Sequence, residues 1–311
     1  MLINQYFAQK RQESLGGSDI GAILGLSSYK TATDIWLEKT GKILHSNDAL
    51  PLRFGQFAES FVAGEYCRTT GHALIDPPGM YTHAEYPFLT GHIDRLIVTD
   101  NETTSAYKVL ECKTAHPFKQ SEWGQLGSDE VPMSYLVQCL WYLMLTNLDQ
   151  ADIAVLFGNN DFRIYSIHRD MAIEQELLER STYFWSEYVQ KDQPPPHRST
   201  KDNQKLFTQS INHKSIEASL ELYEEIQQLN QHQQQLEEQE RAIDTIKSHI
   251  METLQDAEVL TYKNQVLATW KAPKASQRID SKRLQSEHPD LYQNYLVPIQ
   301  NSRRLTIKEL S

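Results

Sequence analysis

The stretch VLECKTA, residues 109–115, holds an acid and a lysine one residue apart inside an apolar run. A strand alternates its faces, so Val109, Glu111 and Lys113 share one side while Leu110 and Cys112 take the other. A charged pair on one face of an apolar strand is either a satisfied ion pair or an active site. Three further features keep company with it in chain order: Glu59, then Asp94 in TGHIDRL, and, beyond Glu111 and Lys113, Tyr135 and Gln138 in MSYLVQCLWYLMLT. Asp94 and Glu111 lie on adjacent strand-like segments joined by the polar stretch TDNETTSA (99–106). A hairpin there brings the two carboxylates close together, where one must protonate unless a cation sits between them. A hard divalent ion such as Mg²⁺ fits, since it takes one or two carboxylates plus waters and a substrate phosphate. Lys113 is then placed to position or deprotonate a water, or to stabilise charge on that phosphate. Each part has a plainer reading alone: a structural ion pair, a turn acid at Asp94, a surface glutamine. The ordered combination carries the weight.

Such groups must be held by alternating helices and strands, and residues 1–190 have that pattern. TATDIWLEKTG (31–41) reads as a helix stopped at Gly41. LRFGQFAESFVAGEYCRTTG (52–71) reads as a longer one, with Phe54, Phe57, Ala58, Phe61, Val62 and Tyr66 at helical spacing and Gly71 at its end. Segments 88–98 and 106–114 read as strands, 133–146 as a strongly apolar helix after Pro132, and 151–157 with 162–168 as a strand pair around GNND. An amphipathic helix over 170–190 closes this region. Residues 191–213 read as a Pro-rich linker. A long acidic helix spans 214–258, with Leu222, Leu229, Leu236, Ile243 and Ile250 recurring every seven residues. Gln233 and Glu240 occupy companion positions, so this is half a coiled-coil seam; packing on its own domain and a dimer zipper both remain open. The tail, 259–311, reads as a hairpin turning at Lys263-Asn264 followed by a helix over 278–296.

The formal net charge is −11, unevenly spread: −8 over residues 214–258 and +5 over 259–311. A low pI does not exclude DNA binding, because a metal-using nuclease collects carboxylates; phosphate contacts must then be local. The basic residues of the tail (Lys271, Lys274, Arg278, Lys282, Arg283, Arg303 and Arg304) are one place for them. Cys67, Cys112 and Cys139 show no C-x-x-C spacing, which speaks against a disulfide framework or a Cys-based metal cluster and for a reducing cytoplasm. No apolar run approaches the ~20 residues that span a membrane, and the first residues lack the apolar core of a signal peptide.

The order of Glu59 on a helix, Gly91-x-x-Asp94, Glu111-x-Lys113 on a strand and a Tyr135-x-x-Gln138 helix resembles the PD-(D/E)XK nuclease superfamily. Together with R-x-x-x-x-GGSDIGAILGL-x-x-YKT over 11–31, it is similar to the YqaJ-like viral recombinase, or phage lambda exonuclease, family over roughly residues 8–190. The resemblance implies an α/β fold: a restriction-endonuclease-like core with a central mixed β-sheet flanked by helices, followed here by a helical extension. It implies a Mg²⁺-dependent DNA exonuclease (Mn²⁺ able to substitute) working from duplex ends, 5′→3′, to leave 3′ single strands for homologous recombination. Asp94, Glu111, the Cys112 backbone carbonyl and Glu59 would hold metal; Lys113 would act on the attacking water; Gln138 would orient it, with Tyr135 packed beside. Arg11 and Ser18 would bind the 5′-terminal phosphate, and Ser18 also reads as an N-cap. His92 stands where phage lambda exonuclease has a phosphate-contacting serine, which puts a strict 5′-phosphate preference in doubt. Partners implied are duplex DNA ends, a single-strand annealing protein and, by analogy, copies of the chain in a trimeric ring. The competing readings are an endonuclease or RecB-like nuclease of the same fold, and a DNA-end-binding scaffold with minor chemistry.

Overall fold

The computed structural model describes residues 11–43, 49–98, 106–196, 199–274, 279–297 and 303–307; the turn 99–105 and Arg278 lie outside them. The chain divides into two compact units, Met1–Asn203 and Gln204–Ser311.

The first unit opens with helices α1 (Gly17–Ile23), α2 (Ala32–Lys39) and α3 (Leu50–Thr70). Thr31 caps α2 by accepting the Asp34 N–H, and Gly71 ends α3 in the left-handed region at φ 74°, the conformation glycine adopts without a Cβ penalty. Five strands follow: β1 (Ala73–Ile75), β2 (Tyr81–Thr82), β3 (Thr90–Gly91), β4 (Arg95–Val98) and β5 (Ala106–Ala115). The apolar helix α4 (Met133–Thr146) separates β5 from β6 (Gln150–Phe157) and β7 (Asp161–His168), and α5 (Met171–Tyr183) runs on into a π turn over Phe184–Val189. The main sheet has the order β1-β4-β5-β6-β7. Its β5–β6 pair is parallel and the others antiparallel, so the sheet is mixed, as the resemblance implies. The parallel pair follows from α4, because parallel neighbours need a crossover connection.

Strand β5 is central and separates two environments. Leu110 lies in a core with Val62 and Tyr66 of α3, Ile97, Ala154 and Leu156, and Cys112 packs against it. Glu111 and Lys113, on the opposite face, meet α4. The residues of α3 facing the sheet are Ala58, Val62, Ala63 and Tyr66, whereas Phe54, Phe57 and Phe61 are exposed on another stripe of the same helix. The expected apolar face is thus two faces, of which the sheet covers one. The strand expected over 88–98 is likewise two pieces, and Asp94 sits in the break between them. After residue 190 the Pro-rich stretch leads into α6 (Thr200–Leu206). There the buried Asp202 accepts bonds from the Ser199 N–H and hydroxyl and from the Thr31 hydroxyl at 2.8 Å, fastening this segment to the start of α2.

In the second unit α7 (Leu220–Leu254) is one 35-residue helix capped by Ser219. The hairpin β8 (Val259–Tyr262) and β9 (Gln265–Thr269) turns at Lys263 and Asn264, both at positive φ. The helix expected over 278–296 is split in two, α8 (Ser281–Glu287) and α9 (Pro289–Asn294), because Pro289 lacks the N–H that would continue the first. Among the described residues no helix is long and apolar enough to cross a membrane.

Candidate active site

The site forms where the sheet loses a strand. Pairing between β4 and β5 runs from Val98–Ala106 to Arg95–Leu110. Beyond that point β5 continues to Ala115 with β6 alone beside it. Asp94 sits just before β4, and its Oδ2 accepts the Cys112 N–H at 2.8 Å, occupying the place a continuing strand would take. Asp94 and Glu111 therefore converge on one edge. The cleft there, about 340 Å³, is lined by Leu52, Gly55, Gln56 and Glu59 of α3, by Asp94, by Glu111–Thr114, and by Gln138 and Tyr142 of α4.

Glu111 is buried and its two oxygens differ. Oε1 accepts the Lys113 ammonium at 2.5 Å and the Gln138 amide N–H at 2.9 Å. Oε2 is buried without a hydrogen-bond partner. An orphaned carboxylate oxygen in a low-dielectric site costs stability of order 1–3 kcal/mol unless something binds it. Burial pushes the Glu111 carboxyl above its ordinary range, with Lys113 opposing the shift. Asp94 is pushed up to about 8, first by burial and then by the negative charge of Glu111. Burial works against the charge on Lys113, but Glu111 and Asp94 outweigh it and hold the ammonium above its usual value. Two acids that resist ionisation together, one with a free oxygen, are the donor set a divalent cation would satisfy. Among the described residues no group of three or more His, Cys, Asp or Glu is arranged to hold a metal by itself, so two carboxylates would be completed by backbone carbonyl, water and substrate oxygens.

Gln138, buried in α4, joins these groups. Its Oε1 accepts from Lys113 at 3.1 Å while its Nε2 donates to Glu111 and, at 2.9 Å, to Tyr142 Oη. Tyr135 lies one turn earlier, with the Lys113 ammonium 5.1 Å from its ring centre and the Trp123 ring tilted against it at 5.5 Å between centres. Glu59 lines the cleft, but its carboxylate is engaged by Arg95 at 2.8 Å. Sequence reasoning missed two residues. Tyr142 stands four residues after Gln138 on the same helix face, a spacing that was readable. Arg95 adjoins Asp94, and nothing in the chain marks it as the clamp of Glu59.

The N-terminal residues lie beside this cleft and do not line it. Leu15 bridges to Leu89, which brings the Arg11–Leu15 segment against β3. Arg11 and His92 are both exposed, and the His92 pKa is lowered by partial burial and by the Arg11 charge. Ser18 is exposed in the first turn of α1 and is not its N-cap; that position is Gly16, whose N–H is held by Asp19 Oδ2 at 3.0 Å. The reason lies in Asp19, which is buried and paired with the buried Lys39 at 2.7 Å, leaving Ser18 on the open side. Lys39 also donates to the Arg11 carbonyl at 2.9 Å, so one buried ion pair fixes both the Arg11 backbone and the α1 N-terminus. Gly17 permits the close approach of α1 to α4, since a Cβ there would lie 2.8 Å from the Tyr142 ring.

Fold and site together define the class: a mixed α/β core with a central mixed sheet flanked by helices, in which an acid–x–lysine strand meets a second acid at a broken sheet edge. The chain belongs to the YqaJ-like viral recombinase family. The family model matches residues 6–149, and the uncharacterized protein YqaJ of Bacillus subtilis (strain 168) is 31% identical over 309 residues, covering 97% of this chain and 93% of that protein. Among solved structures, the alkaline exonuclease LHK-Exo of Laribacter hongkongensis, in complex with dAMP, is 13% identical with a TM-score of 0.49, covering 61% of this chain and 93% of that one. A phage-related exonuclease from Haemophilus somnus 129PT is 16% identical with a TM-score of 0.41, over 58% and 95% of the two chains.

Proposed function

We propose that the chain is a Mg²⁺-dependent deoxyribonuclease that digests duplex DNA from its ends, 5′→3′, to leave 3′ single strands for phage-type recombination. The observation that carries this reading is the orphaned Glu111 Oε2 in a cleft shared with Asp94, with Lys113 bound to the other Glu111 oxygen. Asp94, Glu111 and the Cys112 carbonyl would hold the ion, with Glu59 reaching it once released from Arg95. The bound ion would lower the pKa of water and neutralise phosphate charge. Lys113 presents an N–H to the attacking water or to the phosphate oxygen on which charge develops. Gln138 fixes the direction of that ammonium and Tyr135 packs against it. Arg11, Ser18 and His92, each exposed, would bind the phosphate of the strand end.

The test is digestion of linear duplexes bearing a 5′-phosphate or a 5′-hydroxyl, and of covalently closed circles, with Mg²⁺ or EDTA. Linear DNA is expected to be degraded only with Mg²⁺, and Lys113→Ala to slow degradation by about 10²-fold or more. Cutting of closed circles at the same rate would replace the exonuclease reading with an endonuclease. Binding of ends without cutting would replace it with a scaffold.

A further inference from the structure

Arg95 is the first residue of β4, one position after Asp94. Its Nη1 donates to Glu59 Oε1 at 2.8 Å and also to the Asp94 backbone carbonyl, and its Nε lies 3.2 Å from Asp76 Oδ1. The guanidinium is therefore held from α3, from its own chain neighbour and from the residue that follows β1. Both Arg95 and Glu59 keep part of their side chains exposed, so an ion entering the cleft can reach the contact between them.

Glu59 shares the cleft lining with Asp94 and Glu111. Burial is the first cause that holds the Asp94 and Glu111 carboxyls above their ordinary range, and the Glu59 charge adds to it in both. The three acids face two resident cations, Lys113 on Glu111 Oε1 and Arg95 on Glu59 Oε1. The two cations leave different demands behind them. Beside Lys113 the second Glu111 oxygen is buried and without a partner, the one such side-chain atom among the described residues. Glu59 has no such buried oxygen, and its partner is a guanidinium. A guanidinium carries a permanent charge on a planar fork of donors, so it satisfies a carboxylate and also binds the neighbouring carbonyl, as an ion would.

We propose that Arg95 is a positioning residue that competes with a divalent ion for Glu59, standing where a second ion would otherwise be held. One ion is taken firmly at Asp94 and Glu111 with Arg95 in place. A further ion gains Glu59 only by displacing the guanidinium, which breaks charge-assisted hydrogen bonds. The inference rests on the metal reading of this cleft and adds the residue that limits how many ions it holds.

Titration of the full chain with Mn²⁺ in the absence of DNA, with the free ion followed by electron paramagnetic resonance, tests it. The wild type is expected to show one firm step, removed by Glu111→Gln, and a weaker one, removed by Glu59→Gln. Arg95→Leu should tighten the weaker step by about 10-fold or more, the scale of a lost charge-assisted bond, and change the firm step less. In the Glu59→Gln background, Arg95→Leu should alter nothing further. A weaker step unmoved by Arg95→Leu overturns the proposal. So does equal tightening of both steps, or tightening that persists with Glu59→Gln, because charge alone would then explain it. A wild type without any step that Glu111→Gln removes would instead overturn the metal reading itself, and this inference with it.

Discussion

Two buried acid–lysine groups lie on opposite faces of the same sheet, and they differ in one respect. On the α3 face, Asp152 is fully engaged: Oδ2 accepts the Tyr66 hydroxyl at 2.6 Å, and Oδ1 accepts the Ser166 hydroxyl at 2.8 Å with Lys108 at 3.4 Å. On the α4 face, Glu111 crowds Lys113 and Gln138 onto one oxygen and leaves the other without a partner. A satisfied buried acid holds a fold together, and an unsatisfied one holds a place for something else. Burial and charge type do not separate these two groups; the count of donors does.

Substitutions on the two faces should therefore part company. The largest difference is expected between the lysines. Lys113→Ala should lower kcat on linear duplex by about 10²-fold or more, the range for loss of a positioned acid–base or electrostatic group. Lys108→Ala should leave kcat within about threefold, because Asp152 keeps two hydroxyl donors. Comparable losses in both would mean that the two faces are not distinct. Next comes metal binding. Mg²⁺ at about 100 times its Kd should stabilise the catalytic unit by about 2.7 kcal/mol. That corresponds to roughly 5–10 °C in Tm. Differential scanning fluorimetry should show this shift in the wild type and its absence in Glu111→Gln. A third comparison is of stability alone. Tyr66→Phe strands Asp152 Oδ2 and should cost about 1–3 kcal/mol in urea unfolding, with Mg²⁺-dependent activity kept. The smallest effect is expected for Ser166→Ala, about 1 kcal/mol, since Lys108 still reaches Oδ1.

Much of this was legible because it is local. The alternation of Val109–Lys113 placed Glu111 and Lys113 on one face, and Gly71 and Pro132 marked helix ends that the structure has. Asp94 opposite Glu111 followed from reading two adjacent strands as a hairpin. What escaped was set by partners distant in the chain. Asp19 caps α1, and Ser18 does not, because Lys39 draws the Asp19 carboxylate inward. Phe54, Phe57 and Phe61 share the period of Val62 and Tyr66 but not their face, and periodicity alone does not say which stripe a sheet covers. Asp152 stood unnoticed in an apolar strand, its donors arriving from α3 and β7.

The amide of Gln138 can be inserted in only one sense. Turned over, its NH₂ would confront the Lys113 ammonium and its oxygen the Glu111 carboxylate, two mismatched contacts in place of two matched ones. The side chain thus acts as a polarity key, reading which neighbour is cation and which is anion. An acid in its place, as in Gln138→Glu, would set two carboxylates against each other and compete for Lys113, although the shape is unchanged. What the position specifies is a direction of dipole, so an isosteric replacement at Gln138 is a stricter probe of the site than a truncation.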